Sequence, residues 1–248
     1  MNLLLDLGNT RLKWALSDGG GWLARGAVAW DEDVSAVLSA AWRGLPVPRR
    51  VLGASVVDEA RETQVAMQAT ALFGRRVAWL RTPAEACGVR NAYAEPQRLG
   101  VDRFLGMVAA RAAGDAPCVL AGIGTALTLD ALAADGRHLG GLIAPGPRLM
   151  QQSLLGATAK VRPERPGRVL DAADNTADAV ASGCWLAAVA LIERFVARMA
   201  DRLGGSPRLI LHGGDAVELI PLVSLPARQV VDGVLRGLAV WADEAGTS

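Results

Sequence analysis

The chain has 248 residues with a formal net charge of +1, and 51% of its residues are hydrophobic. A near-neutral charge gives no electrostatic footprint for nucleic acid or an anionic membrane, although small acidic ligands remain compatible with it. Two histidines and three widely spaced cysteines argue against a histidine-based metal site, a Ser-His triad and a disulfide framework. We interpret Cys87, Cys118 and Cys184 as reduced thiols of a cytoplasmic protein, without a secretory leader or a membrane span.

The predicted elements fall into two halves with a similar plan. In the first half we expect strands near 2–6, 11–17 and 22–29, a helix around 33–43, a strand at 50–56, a helix at 58–73, a strand at 76–80 and a helix at 101–113. In the second half, strands near 117–123, 126–133 and 138–143 precede helices at about 146–155 and 175–202, a strand at 208–211 and a helix near 230–244. We therefore predict an α/β chain with domains over 1–115 and 116–248.

The first predicted hairpin carries the most specific signal. Its first strand ends on Asp6, and the chain turns through Gly8, Asn9 and Thr10 before Lys13 on the second strand. Glycine and asparagine tolerate the positive φ of many tight turns. A carboxylate, a hydroxyl and backbone N–H groups at one tip suit a nucleotide phosphate with its Mg²⁺. The alternative is an ordinary hairpin in which Asp6 is only a turn former.

Two further glycine turns follow, of which the one within 117–131 resembles the first. One follows an apolar strand at Gly124 and Thr125, and the other lies at Gly213 and Gly214, after the strand at 208–211. Two phosphate-type turns about half a chain apart suggest two related domains that face one cleft. Paired glycines between a strand and a helix permit the backbone to approach a flat ligand such as a purine nucleoside.

A polar stretch at 91–103 leads into the helix predicted to start near 101. Asp102 falls in the first turn, where the helix dipole favours a carboxylate. Such a group beside a phosphate site can accept the proton of an attacking hydroxyl, and the adjacent Arg103 can bind a substrate carboxylate through two hydrogen bonds. The alternative is that Asp102 only caps the helix and pairs with Arg103 on the surface.

Taken together, these motifs resemble the type III pantothenate kinases, in order over nearly the whole chain. The matching segments are Asp6-x-Gly8-Asn9-Thr10, residues 91–103, Gly124-Thr125-Ala126-x-Thr128, residues 140–146 and Gly213-Gly214-Asp215-Ala216. The resemblance implies the fold of the actin/hexokinase/Hsp70 ATPase superfamily, with two RNase H-like domains and a nucleotide cleft between them. It also implies a cytoplasmic homodimer that phosphorylates pantothenate with ATP, the first step of coenzyme A synthesis.

The resemblance also implies roles for individual residues. Asp102 would be the proton acceptor, and Asp6 would lie on the Mg²⁺ side of the first phosphate loop. The nucleotide would contact Asp6, Gly8, Asn9, Thr10, Lys13, Gly124, Thr125, Gly213 and Gly214. Pantothenate would contact Tyr93, Gly100, Val101, Asp102, Arg103 and, across the dimer interface, Thr176. Spacing alone makes Thr176 equally an N-cap or first-turn residue of a long helix.

One position departs from the family pattern. The family usually has an acidic residue two positions before the second phosphate-loop glycine, where it helps to bind a monovalent cation, and this chain has Gly122 there. The departure puts binding of K⁺ or NH₄⁺ in doubt. Two other functions stay open: a superfamily enzyme for another small substrate, such as a sugar kinase or a phosphatase, and an accessory protein that keeps the fold with reduced catalysis.

Overall fold

The structure is a computed structural model that describes residues 1–19, 21–158 and 161–244. Contacts divide the chain into two units, one formed by residues 1–114 with the segment from Asp232 onward, and the other by Asp115–Val231. Residues 20, 159–160 and 245–248, which fall within the two predicted domains, lie outside the described residues.

The first unit is built on a five-stranded sheet. Its strands are β1 (Asn2–Leu7), β2 (Arg11–Ser17), β3 (Trp22–Ala29), β4 (Arg50–Ser55) and β5 (Val77–Trp79). Their order is β3-β2-β1-β4-β5. The first three strands pair antiparallel, whereas β4 runs parallel to β1 and to β5. A separate two-stranded hairpin, β6 (Glu85–Ala86) and β7 (Val89–Arg90), was not predicted.

Helices cover both faces of this sheet. Helices α1 (Val34–Trp42) and α2 (Glu59–Phe73) begin where the side chains of Asp33 and Asp58 accept hydrogen bonds from backbone N–H groups of the first turn. They pack on one face, in a core that includes Trp14, Trp42 and Phe73. The other face packs against α3 (Val101–Ala112) and the final helix of the chain.

The second unit repeats this sheet. Its strands are β8 (Cys118–Ile123), β9 (Ala126–Leu132), β10 (His138–Pro145), β11 (Arg208–His212) and β12 (Ala227–Gln229). Their order is β10-β9-β8-β11-β12, strand for strand the order of the first sheet. Helices α4 (Pro147–Ala157), α5 (Thr176–Met199) and α6 (Ala216–Leu219) belong to this unit. The shared topology bears out the predicted α/β fold with two RNase H-like halves.

Helix α5 is the one helix among the described residues that is long and apolar enough to cross a membrane by length and composition. Over half of its most apolar stretch is buried within the protein. Trp185, Val189, Ile192 and Phe195 belong to the same core as the inward-facing residues of β8, β9 and β11. Packing against the second sheet therefore accounts for the apolar character of α5.

The final helix, α7 (Gly233–Glu244), corrects the expected domain division of 1–115 and 116–248. It packs in the first unit, where Leu235, Leu238 and Ala242 join a core with β1 and α3. A Cβ at Gly237 would overlap the backbone carbonyl of Leu105, so glycine lets the two helices approach closely. The apolar periodicity of 230–244 predicted a helix, but it contained nothing that specified which sheet the helix would cover.

Candidate active site

The tip of the β1–β2 hairpin is held by backbone contacts. The Gly8 N–H donates to the Arg11 carbonyl at 3.1 Å, and the Trp30 indole N–H donates to the Gly8 carbonyl at 2.7 Å. Asn9 and Thr10 are exposed at the tip. The positive φ that we considered for Gly8 or Asn9 is found at neither residue. The hairpin thus presents a fixed turn with an exposed amide and hydroxyl.

The carboxyl of Asp6 lies in an unfavourable electrostatic environment. Asp6 and Lys13 occupy paired positions on β1 and β2. Burial raises the pKa of Asp6 to about 7; Lys13 acts to lower this pKa, and the negative charges of Asp102 and Asp232 raise it further. The carboxyls of Asp6, Asp102 and Asp232 and the ammonium of Lys13 are therefore close enough to interact electrostatically. Asp232 was not among the site residues predicted from the sequence.

Asp102 lies in the first turn of α3, where Gly100 is the N-cap residue. Its Oδ1 accepts a hydrogen bond from the Arg103 N–H at 2.8 Å. A Cβ at position 100 would lie 2.5 Å from this oxygen. Glycine is therefore required for the carboxylate to fold back over the helix start, where backbone N–H groups and the helix dipole stabilise its charge.

Arg103 is buried, with 6% of its surface exposed, which contradicts the alternative of a surface pair with Asp102. Its Nη1 donates to the Tyr93 hydroxyl at 3.2 Å, and the guanidinium lies 5.9 Å from the ring centroid. The Tyr93 N–H donates to Asn91 Oδ1 at 3.0 Å, and Asn91 Nδ2 donates to the Pro96 carbonyl at 3.0 Å. The loop thus holds a buried guanidinium and a phenol together beside Asp102.

In the second unit, glycines bring three turns together at the ends of β8 and β11. The Gly124 N–H donates to the Ala126 carbonyl at 3.0 Å, and the Gly146 N–H donates to the Thr125 carbonyl at 2.9 Å. A Cβ at Gly146 would overlap the Gly124 carbonyl. Gly213 has a φ of 102°, and a Cβ there would overlap the carbonyl of Ile123. A side chain at Gly124 would meet open space, so the backbone at this turn is accessible.

Any side chain at Gly122 would require neighbouring side chains to move. A Cβ at this position would lie 2.6 Å from Thr128 Oγ1 and 2.8 Å from His212 Cε1. The imidazole of His212, which pairs with Gly122 between β11 and β8, therefore borders the space that an acidic side chain would need. The residues present do not fit a monovalent-cation site that depends on a carboxylate here.

Thr176 is the first residue of α5, and Asn175 is the N-cap residue that accepts a hydrogen bond from the Asp178 N–H at 3.1 Å. Thr176 is therefore a first-turn residue and not the cap. The Asp178 carboxylate accepts two hydrogen bonds from Arg165, at 2.8 and 3.0 Å, and one from the Arg168 N–H at 2.8 Å. These bonds lower the pKa of Asp178 and fix the segment before Thr176.

The structure distributes the predicted site residues over both units. The first unit brings together the hairpin tip with Asp6 and Lys13, and the start of α3 with the loop that carries Tyr93. The second unit holds Gly124, Thr125, Thr176, Gly213 and Gly214. Among the described residues, no group of three or more His, Cys, Asp or Glu side chains could hold a metal ion alone. Asp6 fits Mg²⁺ in the way that one protein carboxylate binds it together with substrate phosphates.

Comparison with known proteins identifies the family. The model of the type III pantothenate kinase family matches residues 2–198. A type III pantothenate kinase of Aromatoleum aromaticum is 42% identical over 248 residues, covering 98% of each chain. One from Xanthomonas campestris pv. campestris is 45% identical over 240 residues, covering 96% of each. This chain belongs to the type III pantothenate kinase family.

Solved structures support the fold of this family member at lower identity. A putative Baf family transcriptional activator from Campylobacter jejuni has a TM-score of 0.62 at 18% identity, covering 99% of this chain and 100% of that one. The ROK hexokinase from Thermus thermophilus has a TM-score of 0.52 at 16% identity, covering 98% of this chain and 99% of that one. These likenesses confirm the predicted fold, an α/β chain with two related halves.

The raised pKa of Asp6 makes a prediction about stability. Between the ordinary pKa of 3.8 and the folded value of about 7, the folded protein retains a proton that the unfolded chain has lost, so stability falls as pH rises through this window. An asparagine side chain does not titrate, so the Asp6→Asn variant does not lose stability in this way as the pH rises. Without Mg²⁺ and nucleotide, we expect Asp6→Asn to raise the free energy of unfolding at pH 8 by roughly 1–4 kcal/mol, and by less at pH 5.

Urea unfolding at the two pH values measures this effect. Asp31→Asn is the matched control, because it removes an exposed carboxylate of the same unit. A gain at pH 8 that is no larger than the gain at pH 5 would contradict the assigned environment of Asp6.

Proposed function

We propose that this chain transfers the γ-phosphoryl group of ATP to pantothenate, the first step of coenzyme A synthesis. Membership of the family supports the reaction class. The observation that carries the proposal is Asp102 at the start of α3, adjacent in sequence to the buried Arg103 and within electrostatic reach of Asp6. In the proposed reaction one unit would therefore contain the proton acceptor, the cation for a substrate carboxylate and the hairpin for the phosphates.

In this proposal each group has a separate role. Arg103 and Tyr93, with the backbone of Gly100 and Val101, bind and orient pantothenate, and the rigid loop reduces the entropy lost on binding. Asp102 accepts the proton of the attacking hydroxyl as its oxygen bonds to the γ-phosphorus of ATP, while the bond from that phosphorus to the β,γ-bridging oxygen breaks and ADP leaves with the electron pair. Phosphoryl transfer depends mainly on alignment and charge neutralisation, so the precision of this geometry matters more than proton transfer alone.

The nucleotide is assigned to the glycine turns and the hairpin. Gly8, Asn9, Thr10 and Lys13 would contact phosphates from the first unit. Gly124 and Thr125 would contact phosphate from the second unit, and Gly213 and Gly214 would lie against the nucleoside. Asp6 would hold Mg²⁺, which when bound neutralises charge on the phosphate oxygens.

A coupled assay of the purified protein with pantothenate and Mg·ATP tests the proposed reaction. We expect turnover with pantothenate and none with a sugar or polyphosphate. Asp102→Asn keeps the size of the side chain but cannot accept the proton, so kcat should fall by roughly 10²-fold or more while the KM for ATP stays unchanged.

The outcomes of this assay separate the alternatives. Turnover of another small substrate with pantothenate left unchanged would favour a different superfamily enzyme. Nucleotide binding without any turnover would favour an accessory protein with reduced catalysis. An unchanged kcat in Asp102→Asn would reduce Asp102 to a residue that stabilises the start of α3.

We also assign the protein to the cytoplasm as a homodimer whose pantothenate site includes Thr176 of the second chain. The exposed position of Thr176 at the start of α5, fixed by Asn175 and Asp178, is compatible with this role. Mixing Asp102→Asn chains with Thr176→Ala chains should restore one intact site in each mixed dimer. No recovery after confirmed subunit exchange would mean that each chain builds its own pocket.

The proposal includes no monovalent cation at Gly122. Because Thr128 and His212 border the space where an acidic side chain would begin, the rate should change little when a bulky organic cation replaces K⁺ or NH₄⁺ at constant ionic strength. Steep activation by K⁺ would show that other oxygens form the site. Gly122→Asp is the informative variant, since it supplies the carboxylate that the family usually has and should give some gain in the response of the rate to K⁺.

A further inference from the structure

Asp232 is a carboxylate of the first unit to which neither the motifs nor the proposed reaction gives a role. It immediately precedes α7. Its Oδ1 lies 3.6 Å from Lys13 Nζ on β2, and its Oδ2 accepts a hydrogen bond from Arg25 Nη1 on β3 at 3.3 Å. The side chain of Asp232 is 13% exposed, compared with 28% for Lys13 and 59% for Arg25. The ion pair with Lys13 is thus better shielded from water than an ordinary surface pair.

The backbone conformation of Asp232 helps to set the direction of its side chain. Its φ of 57° lies in the left-handed region, which glycine, asparagine and aspartate tolerate better than other residues. Its carbonyl accepts a hydrogen bond from the Arg236 N–H at 3.0 Å, so the residue is joined to the first turn of α7. Because α7 packs against α3 and β1, the carboxylate is attached to a fixed element.

Lys13 is the group that this carboxylate can restrain. A lysine side chain has a flexible four-carbon stem, so it loses considerable conformational entropy when its ammonium is fixed. Lys13 has Asp6 at the paired position on β1 and Asp232 at the start of α7. Two carboxylates from different elements therefore limit the positions available to one ammonium.

We infer that Asp232 is a positioning residue that holds the Lys13 ammonium in place for a nucleotide phosphate. This inference rests on the proposed function only in assigning the phosphate to the hairpin. Asp232 itself contacts no ligand in this scheme. It acts through Lys13, and the strained backbone is retained because aspartate supplies both the left-handed conformation and the charge.

The sign of the effect distinguishes positioning from simple electrostatics. A negative charge near a phosphate site repels the phosphate, so by Coulomb's law alone the loss of the Asp232 charge would tighten nucleotide binding. If Asp232 positions Lys13, the same loss weakens binding, because the ammonium must be ordered again each time the nucleotide binds.

The test compares Asp232→Asn with the wild-type protein. Asparagine retains the tolerance for positive φ and removes only the charge. For the Mg²⁺ complex of β,γ-imido-ATP, titrated calorimetrically, we expect the Kd to rise roughly tenfold. The KM for ATP should rise in parallel, whereas the KM for pantothenate should stay within about twofold. Arg25→Gln is the matched control: it removes the other cation on Asp232 and should leave the nucleotide Kd almost unchanged.

A double-mutant cycle then tests whether Asp232 acts through Lys13. In a Lys13→Met background, Asp232→Asn should weaken nucleotide binding no further. Asp232→Gly, which adopts positive φ without strain, provides a second variant should the asparagine variant fold poorly. An unchanged or tighter nucleotide Kd in both Asp232 variants, or an equal weakening in the Lys13→Met background, would overturn the inference. The readout of this test is nucleotide binding. A wild-type protein that binds the analogue but leaves pantothenate unphosphorylated would therefore refute the proposed function and not the inference about Asp232.

Discussion

The first unit depends on how it accommodates the partly buried carboxyl of Asp6 among charged neighbours. Burial and two neighbouring carboxylates all disfavour its charged form, and a single ammonium opposes them. Folding alone would favour a neutral residue at this position. Two packed faces of the sheet, with cores on both sides of β1, supply the stability that lets a charged group persist at the strand end. This local cost in stability is consistent with the proposed binding of Mg²⁺ and a phosphate at Asp6.

The second unit builds its turns mainly from close backbone contacts, beside which Arg148 and Asp215 form an ion pair at 3.0 Å. Gly146 and Gly213 allow backbone segments to approach so closely that any Cβ would overlap a carbonyl. The turns are consequently built from main-chain groups, whose amides can face an anion with no side chain in between. The two units share a strand order but differ in the chemistry at their turns: one relies on carboxylates and an ammonium, the other on backbone.

Local patterns were sufficient to predict most of the fold. The expected strands at 11–17 and 22–29 coincide with β2 and β3, and a single strand order recurs in both sheets, as the repeated turns suggested. The short strands β6, β7 and β12 were missed, because segments of two or three residues are too brief to show a period. The assignment of Asp102 came from its place in a helix start, which is a local feature. The burial of Arg103 against Tyr93 depends on a loop closed by Asn91, and only the polarity of that loop was evident beforehand.

What could not be predicted shares one cause, the packing of segments far apart in the chain. The periodicity of 230–244 predicts a helix, yet only the close approach permitted by Gly237 shows that this helix lies on α3. Once it lies there, Asp232 is brought to Lys13, 219 positions earlier in the chain. His212 reaches the space beside Gly122 in the same way, through strand pairing. A motif identifies residues that contact a ligand directly, whereas residues that restrain those contacts are found only when the strands and helices are placed. For this reason the position of the Asp232 carboxylate beside Lys13 is a consequence of the packing of α7 in the first unit, and the proposed restraint on Lys13 depends on a helix far away along the chain.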